Sequence, residues 1–435
     1  MTVWRRQSII RLSKSEGGLF MPDLAKIDYK DIYCTDEAAA LQPDRYARAA
    51  EEFTRAFVRS PLAVFSAPGR TEIGGNHTDH QHGEVLAASI NKDAIAMAAP
   101  REDGRVNILA EGFGKTGIGP GELDIREDEK GTTSALIRGV LAGLKDAGFE
   151  SGGFDAYVTS DVLIGAGLSS SAAFETLVGT IVSGLYYDMK ISPVEIAVAG
   201  QYAENVFFGK PCGLMDQMAC SVGGLVHIDF EDPADPKVDK VECDPAGMGL
   251  LLCITDTKGS HADLTDEYAA VPYEMKQVAN LLGRDVLRHV TLDDITDNIS
   301  MLRSKAGDRA VLRAIHFVNE TRRAGAEAEA LRRGDTAAFL ELVRQSGDSS
   351  FKYLQNVYSN RDVTSQNVSL ALAVSESILG PGEAARVHGG GFAGTIQAFV
   401  KEGNAGRYKE SMDKVFGEGA CEILAIRKYG GIRVL

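Results

Sequence analysis

Gly165-Ala166-Gly167-Leu168-Ser169-Ser170-Ser171-Ala172-Ala173 follows a predicted strand at Phe154–Val158 and runs into an apolar segment with helical spacing that ends near Tyr187. Because glycine has no Cβ, the backbone N–H groups of such a loop can approach an anion closely. The start of a helix adds the positive end of its dipole. The stretch therefore predicts a phosphate-binding loop at a helix entrance, with Ser169 or Ser170 as the N-cap residue.

Two more glycine-rich segments frame this loop. They are Pro68-Gly69-Arg70-Thr71-Glu72-Ile73-Gly74-Gly75-Asn76-His77-Thr78-Asp79 and Gly389-Gly390-Gly391-Phe392-Ala393-Gly394-Thr395. The second matches G-x-G-x-x-G, but a dinucleotide fingerprint needs a helix after the glycines, and residues 395–400 alternate like a strand. The Walker A pattern G-x-x-x-x-G-K-[ST] is absent from the sequence. The phosphate site is therefore of another kind, and a kinase is the favoured function.

Composition limits the partners. The chain has 435 residues, 44% of them hydrophobic, which favours two domains over one. A net charge of −15 disfavours nucleic acid and anionic membrane surfaces as partners. Six cysteines without paired spacing indicate reduced thiols and a cytoplasmic protein. The expected division is an N-terminal extension at 1–30, an N-terminal lobe at 31–240 and a C-terminal lobe at 241–435, because residues 231–248 are rich in Pro, Asp and Gly.

The three segments, joined by Gly209-Lys210-Pro211-Cys212-Gly213-Leu214-Met215-Asp216-Gln217, resemble those of the GHMP small-molecule kinases, and of the galactokinases in particular. In galactokinases the last segment looks like G-x-P-C-G-I-M-D-Q. The likeness runs from about residue 60 to the end of the chain. It implies an α+β fold of two lobes with the active site in the cleft. The N-terminal lobe would be like domain 2 of ribosomal protein S5 and the C-terminal lobe ferredoxin-like.

The resemblance also implies the chemistry. Asp216 would be the catalytic carboxylate beside the anomeric hydroxyl of a sugar, with Arg70 between it and the transferred phosphoryl group. The alternative for this pair is a surface salt bridge, which we disfavour because both residues lie in turns without helical partners. Mg²⁺ would bind Ser171 and Glu204 together with the phosphates of ATP. For Glu204 the alternative is a solvated helix position.

The remaining site residues follow from the same resemblance. Gly389, Gly390 and Gly391 would form the floor under substrate and phosphates, or simply a tight turn. The expected ATP-binding residues are Gly165, Ala166, Gly167, Leu168, Ser169, Ser170, Ser171 and Ala172, and the expected sugar-binding residues are Asn76, His77, Asp79, Gly213, Asp216 and Tyr268.

The sugar signature departs from the family pattern. Galactokinases usually read G-R-V-N-L-I-G-E-H-T-D-Y, and Asn76 stands where their glutamate binds the C6 hydroxyl. The expected reaction is conversion of galactose to galactose 1-phosphate, by a monomer or a weak homodimer. Alternatives are a kinase for galacturonate or N-acetylgalactosamine, and a non-catalytic sugar sensor. The intact Ser169-Ser170-Ser171 run favours an enzyme over a sensor.

Overall fold

The structure is a computed structural model that describes residues 22–163, 167–243, 247–259 and 264–435. In these ranges the chain forms two β-sheets with helices packed on them. The strands are β1 (Ala63–Gly74), β2 (Glu84–Arg101), β3 (Val106–Ala110), β4 (Gly114–Ile118), β5 (Gly153–Ser160), β6 (Leu225–Asp229), β7 (Lys237–Lys240), β8 (Leu250–Asp256), β9 (Ala384–His388), β10 (Thr395–Lys401), β11 (Cys421–Leu424) and β12 (Ile432–Arg433).

The helices account for most of the remaining described residues. They are α1 (Tyr29–Tyr33), α2 (Asp36–Ala40), α3 (Gln42–Phe57), α4 (Thr133–Asp146), α5 (Ser170–Tyr186), α6 (Pro193–Tyr202), α7 (Met215–Val222), α8 (Thr265–Leu281), α9 (Leu292–Asp297), α10 (Ile299–Ala306), α11 (Asp308–Arg332), α12 (Thr336–Ser349), α13 (Asn367–Ile378) and α14 (Glu402–Phe416). Two π-helical turns, Ala203–Phe208 and Ser350–Leu354, extend α6 and α12. Short 3₁₀ turns lie at Leu24–Lys26, Asp79–Gln81, Glu127–Glu129 and Leu287–His289. In the described ranges no helix is long and apolar enough to cross a bilayer.

The first sheet has the order β12-β1-β2-β5-β3-β4, with β6 added along β2 and β7 along β6. Strands β3 and β5 are parallel and the other neighbours antiparallel. The pairing of β1 with β2 shifts register twice, between Pro68 and Arg70 and between Glu72 and Gly74. Such irregularities re-aim side chains, and here they fall inside the first glycine-rich segment.

The second sheet has the order β11-β8-β10-β9, with antiparallel neighbours throughout. The predicted lobe boundary at 240 falls between β7, in the first sheet, and β8, in the second. The last strand returns to the first sheet, where Phe65 pairs with Arg433. The domain division itself stays a prediction.

The predicted phosphate loop leads into helix α5, which is buried along nearly its whole length. Leu177 and Ile181 of α5 pack with Phe65 of β1 in one apolar cluster that also includes residues from β2 and β5. Residues before the first sheet are also packed, since Tyr33 and Tyr46 lie in a cluster with Val64. The predicted extension at 1–30 therefore ends inside α1, and residues 1–21 lie outside the described ranges.

Side chains cap the N-terminus of α6, where Ser192 and Glu195 form a reciprocal capping box. Residues 395–401 form strand β10, which agrees with the rejection of a dinucleotide fingerprint. Strand β1 continues through the first glycine-rich segment as far as Gly74.

Candidate functional site

Arg70 and Asp216 form the ion pair that the motifs predict. Arg70 Nε donates to Asp216 Oδ1 at 2.7 Å and Nη2 donates to Oδ2 at 2.8 Å. Arg70 is almost buried, whereas the Asp216 side chain keeps 30% of its surface exposed. The carboxylate therefore stays open to a ligand while the guanidinium holds it in place.

Burial and charge act against each other on this pair. Burial alone would raise the pKa of Asp216, but Arg70, Ser169 and Lys210 outweigh it and hold that pKa below its ordinary value. Burial opposes the charge on Arg70 as well, yet Asp216 keeps the pKa of the guanidinium raised. Both groups are consequently ionised near neutral pH.

Ser169 departs from the predicted capping role. It stands at the N-cap position of α5 in the left-handed region, at φ 57° and ψ 63°, and accepts no hydrogen bond from the helix. Its hydroxyl donates instead to Asp216 Oδ2. The first N–H groups of α5 are therefore left without a side-chain cap, which is the condition for anion binding at a helix N-terminus.

The described part of the phosphate loop is fastened to the first glycine-rich segment. The Arg70 N–H donates to the Leu168 carbonyl at 3.0 Å, and Arg70 Nη1 donates to the Gly167 carbonyl. A Cβ at Gly69 would lie 2.8 Å from that Leu168 oxygen, so only glycine allows this approach. Ser170, Ser171 and Ala172 open α5. Gly165 and Ala166 lie outside the described residues.

His388 supports the same loop from the second sheet. Its Nε2 accepts the Glu72 N–H at 3.2 Å, so Nδ1 carries the proton and donates to Thr395 Oγ1 at 2.9 Å. Burial holds the pKa of His388 well below its usual value. Gly167 has φ +67°, and a Cβ there would lie 2.8 Å from Thr395 Oγ1. Gly167 therefore lies directly against the neutral His388 and its partner Thr395.

Ser171 and Glu204 meet as predicted. Ser171 Oγ donates to Glu204 Oε1 at 3.3 Å, and Lys210 Nζ donates to the same oxygen at 2.8 Å. Glu204 is nearly buried on the π-helical turn after α6, which Gly209 terminates at φ 85°. π-Helical turns often occur at functional sites. Two hard oxygen donors side by side suit Mg²⁺, which usually takes only one or two protein ligands and completes its shell with phosphates and water.

Asp79 lies against Gly213. A Cβ on Gly213 would fall 1.7 Å from Asp79 Oδ2, so the carboxylate occupies the space that any other residue would fill. Burial, with a smaller effect of Asp216, raises the pKa of Asp79 to about 6. The two predicted sugar-site residues thus lie side by side, and Gly213 is three positions before Asp216 in the sequence.

His77 and Tyr268 converge on the third glycine-rich segment. Burial lowers the pKa of His77 to about 4, so its neutral ring donates from Nε2 to the Gly390 carbonyl at 3.1 Å. Tyr268 donates to the Gly391 carbonyl at 2.8 Å, and a Cβ at Gly390 would lie 2.7 Å from the tyrosine ring. These contacts seat the glycine loop across from the sugar signature.

The position of Asn76 corrects the prediction of a direct contact with the sugar. The residue is fully buried, and its Nδ2 donates to Glu72 Oε1 at 3.0 Å and to the Gly389 carbonyl at 2.7 Å. Its Oδ1 accepts from Asn356 Nδ2 at 2.9 Å and Ser350 Oγ at 3.3 Å. An amide has two donor and two acceptor positions, so none is left for a ligand.

Glu72 explains this arrangement and was missed from the sequence. The family pattern quoted above has an asparagine at position 72 and a glutamate at 76, and this chain has the two exchanged. Glu72 is buried and paired with the fully buried Arg386 of β9. Comparing positions 72 and 76 together would have indicated that the two side chains are partners. Relative to the family pattern the amide and the carboxylate have changed places, and in the structure they are hydrogen-bonded to each other.

Three structural features lie together at this site. They are an anion-binding helix entrance, a pair of oxygens suited to a divalent cation and an arginine–aspartate pair with an open carboxylate. Catalysis of phosphoryl transfer depends mainly on positioning and charge neutralisation, and these groups supply both.

Two parts of the sequence match models of kinase families. Residues 51–100 match the galactokinase galactose-binding signature, and residues 135–224 match the N-terminal domain of the GHMP kinases. The galactokinase of Streptomyces coelicolor is 29% identical over 366 residues, which cover 84% of this chain and 92% of that protein.

Solved structures show the same fold. The Lactococcus lactis galactokinase in complex with galactose superimposes with a TM-score of 0.77 at 24% identity, over 89% of this chain and 100% of that one. The mevalonate kinase of Methanococcus jannaschii matches with a TM-score of 0.60 at 14% identity, over 84% of this chain and 98% of that one. The chain thus has the two-lobe α+β fold of these two kinases, and its sequence matches the galactokinase galactose-binding signature and the N-terminal domain of the GHMP kinases.

Proposed function

We propose that the protein is an ATP-dependent sugar 1-kinase that transfers the γ-phosphoryl group of ATP to the anomeric hydroxyl of galactose, giving galactose 1-phosphate. The observation that carries the proposal is the Arg70–Asp216 pair, bonded through Ser169 to the entrance of α5. It sets an open carboxylate next to a helix N-terminus suited to phosphate.

Asp216 orients the attacking hydroxyl. A carboxylate with a lowered pKa is a weak base, so its main effect is to accept the hydroxyl hydrogen bond. As the hydroxyl oxygen bonds to phosphorus, the negative charge of Asp216 stabilises the positive charge that develops on the hydroxyl proton, which passes to the carboxylate or to solvent. Arg70, bound to both Asp216 and the Gly167 carbonyl, lies between the sugar side and the phosphate loop. Its charge counters the negative charge of the transferred phosphoryl group.

The nucleotide binds along the helix entrance. The N–H groups of Ser170, Ser171 and Ala172 would face the phosphates, with Gly167, Leu168 and Ser169 directly before the helix. Mg²⁺ would be held by Ser171 and Glu204, where it would neutralise phosphate charge. Lys210 has a largely exposed side chain and is free to turn from Glu204 toward a phosphate.

The sugar lies between the first and third glycine-rich segments. Asp79 accepts hydrogen bonds from ring hydroxyls, with Gly213 packed against it and His77 and Tyr268 holding the glycine loop. Asn76 acts on the pocket indirectly. Its amide binds Glu72 and the Gly389 carbonyl, and so it positions the residues that line the sugar site. We further propose that the enzyme works in the cytoplasm as a monomer or a weak homodimer; light scattering on the purified protein separates the two.

A coupled ADP-release assay tests the proposal. The purified protein is given Mg²⁺ and ATP with galactose, galacturonate, N-acetylgalactosamine or mevalonate in turn. We expect the highest kcat/KM with galactose. Turnover of another acceptor reassigns the substrate, and binding of galactose without ADP release identifies a sensor.

A further inference from the structure

A buried amide joins two acidic side chains beside Ser171. Gln217 follows Asp216 directly on α7, and its Nε2 donates to Glu204 Oε2 at 2.9 Å and to Glu175 Oε2 at 3.0 Å. Gln217 and Glu175 are fully buried and Glu204 is 3% exposed. Neither Gln217 nor Glu175 belongs to the site as predicted from the sequence.

The orientation of this amide is fixed. A primary amide has two N–H donors, and each of these points to a different carboxyl group. Turning the amide over would place its oxygen, an acceptor, against Glu204 Oε2 and lose that bond. Gln217 Oε1 and Glu175 Oε1 are buried without a hydrogen-bond partner among the described residues. The two Nε2 bonds therefore set the position of the group.

Packing of three helices holds the amide in place. A Cβ added to Gly200 of α6 would lie 3.1 Å from Gln217 Cγ and 3.2 Å from Glu175 Cβ. Helices α5, α6 and α7 thus approach closely around the Glu175–Gln217 contact. Little space remains for Gln217 to adopt another rotamer.

The bond to Glu204 decides which of its oxygens faces the site. Gln217 occupies Oε2, and Oε1 is left toward Ser171 Oγ at 3.3 Å and Lys210 Nζ at 2.8 Å. Partners behind a metal-binding carboxylate fix its orientation and commonly change metal affinity when they are removed. Asp216 and Gln217 are consecutive. One turn of α7 therefore carries both the sugar-side carboxylate and the amide that binds the metal-side carboxylate, Glu204.

We propose that Gln217 is a positioning residue, anchored by Glu175, which holds the Glu204 carboxylate in the orientation that the metal–nucleotide complex requires. This inference rests on the proposed function, in which Ser171 and Glu204 are the protein ligands of the cation. The chemical class of the ligand is a divalent cation bound to a nucleoside diphosphate or triphosphate.

Metal binding by the folded protein tests the inference without turnover. Free Mn²⁺ is measured by electron paramagnetic resonance in the presence of ADP, for the wild-type protein, Gln217→Leu and Gln201→Leu. Gln201 is the matched control, because its Nε2 donates to the Cys212 carbonyl and, among the described residues, it makes no hydrogen bond to Glu204. We expect Gln217→Leu to weaken Mn²⁺ binding by about 10-fold or more. The Mn²⁺ affinity of Gln201→Leu should stay within about twofold of wild type. The affinity of Gln217→Leu for metal-free ADP should also stay within about twofold of wild type.

Two variants at position 175 extend the test should Gln217→Leu fail to fold. Glu175→Gln keeps an acceptor oxygen for Gln217 and should bind Mn²⁺ nearly as well as wild type. Glu175→Leu removes the acceptor and should bind it more weakly than Glu175→Gln. Thermal melting identifies the folded variants.

The outcomes separate the two proposals. Wild-type Mn²⁺ affinity in folded Gln217→Leu, or equal affinities in the two Glu175 variants, overturns the positioning role and leaves the proposed function standing. If the wild-type protein itself binds no Mn²⁺ with ADP, the proposed function fails first.

Discussion

Arg70 and Asp216 are joined by two parallel N–H···O bonds of 2.7 and 2.8 Å, although 146 positions separate them in the sequence. The paired geometry needs a planar fork on one side and a carboxylate on the other. It links β1, which carries the sugar signature, to α7, which carries the proposed catalytic aspartate, Asp216. The following predictions test this arrangement and its surroundings.

Arg70→Lys should lower kcat by about 100-fold while the protein stays folded. A lysine is a point charge and cannot bond both Asp216 oxygens and the Gly167 carbonyl together. The measurement is steady-state kinetics with ATP and galactose, beside Arg333→Lys as a control at an exposed position. A kcat for Arg70→Lys within about twofold of wild type would contradict the role of the fork.

Asp79→Asn should increase stability and weaken galactose binding. The pKa of Asp79 is raised from 3.8 to about 6, so its charged form is penalised in the folded state. The neutral amide removes that penalty and should add about 1–3 kcal/mol to the free energy of unfolding at pH 8.

The pH dependence of this gain has a defined sign. The folded protein holds the Asp79 proton more tightly than the unfolded chain does, so wild-type stability relative to Asp79→Asn falls as pH rises from 3.8 to 6. Below that window the difference disappears. Urea unfolding at pH 4 and pH 8 measures it, and a variant less stable than wild type at pH 8 would refute the assignment. Galactose affinity of the wild type should also decline as the pH falls below about 6, because the carboxylate becomes protonated.

Positions 72 and 76 should be strongly coupled. Asn76→Glu places a second carboxylate against Glu72 and should cost about 2–4 kcal/mol of stability, and Glu72→Asn removes the partner of Arg386 at a similar cost. The double variant restores one carboxylate and one amide, so we expect it to be more stable than either single variant. A double-mutant cycle by urea unfolding measures the coupling, and simple additivity would show that the two residues do not act together.

Gly213→Ala should raise the KM for galactose and leave the KM for ATP nearly unchanged. The added Cβ would fall 1.7 Å from Asp79 Oδ2 and must displace that carboxylate. Gly403→Ala is the matched control, because a Cβ there has nothing within 4 Å. Unchanged galactose kinetics in Gly213→Ala would mean that Asp79 does not contact the sugar.

Local patterns in the sequence predicted the groups that carry the chemistry. The helix entrance at Ser170, the Ser171–Glu204 contact and the Arg70–Asp216 pair could all be anticipated, the last two through the family resemblance. The helix entrance was predictable because turn and helix geometry over a few positions determines it. The other two contacts join distant segments, so only the resemblance indicated them.

Contacts between distant segments were harder to foresee. Asn76 is held by contacts with Asn356 and Gly389, which are far along the chain. Ser169 was expected as a possible cap, but Asp216 takes its hydroxyl instead. The two-residue strand β12 has no pattern of its own and exists only through its pairing with β1.

The position of the phosphate on the sugar tests the central claim most directly. Galactose is incubated with ATP, Mg²⁺ and the wild-type protein, or with Asp216→Asn beside an Asp348→Asn control at an exposed ion pair. Phosphorus NMR of the product should show a phosphate resonance coupled to the anomeric proton with wild type and control. With folded Asp216→Asn, the initial rate at which this resonance appears should fall by about 100-fold or more. A phosphate on any other carbon, or undiminished product from Asp216→Asn, would contradict the account.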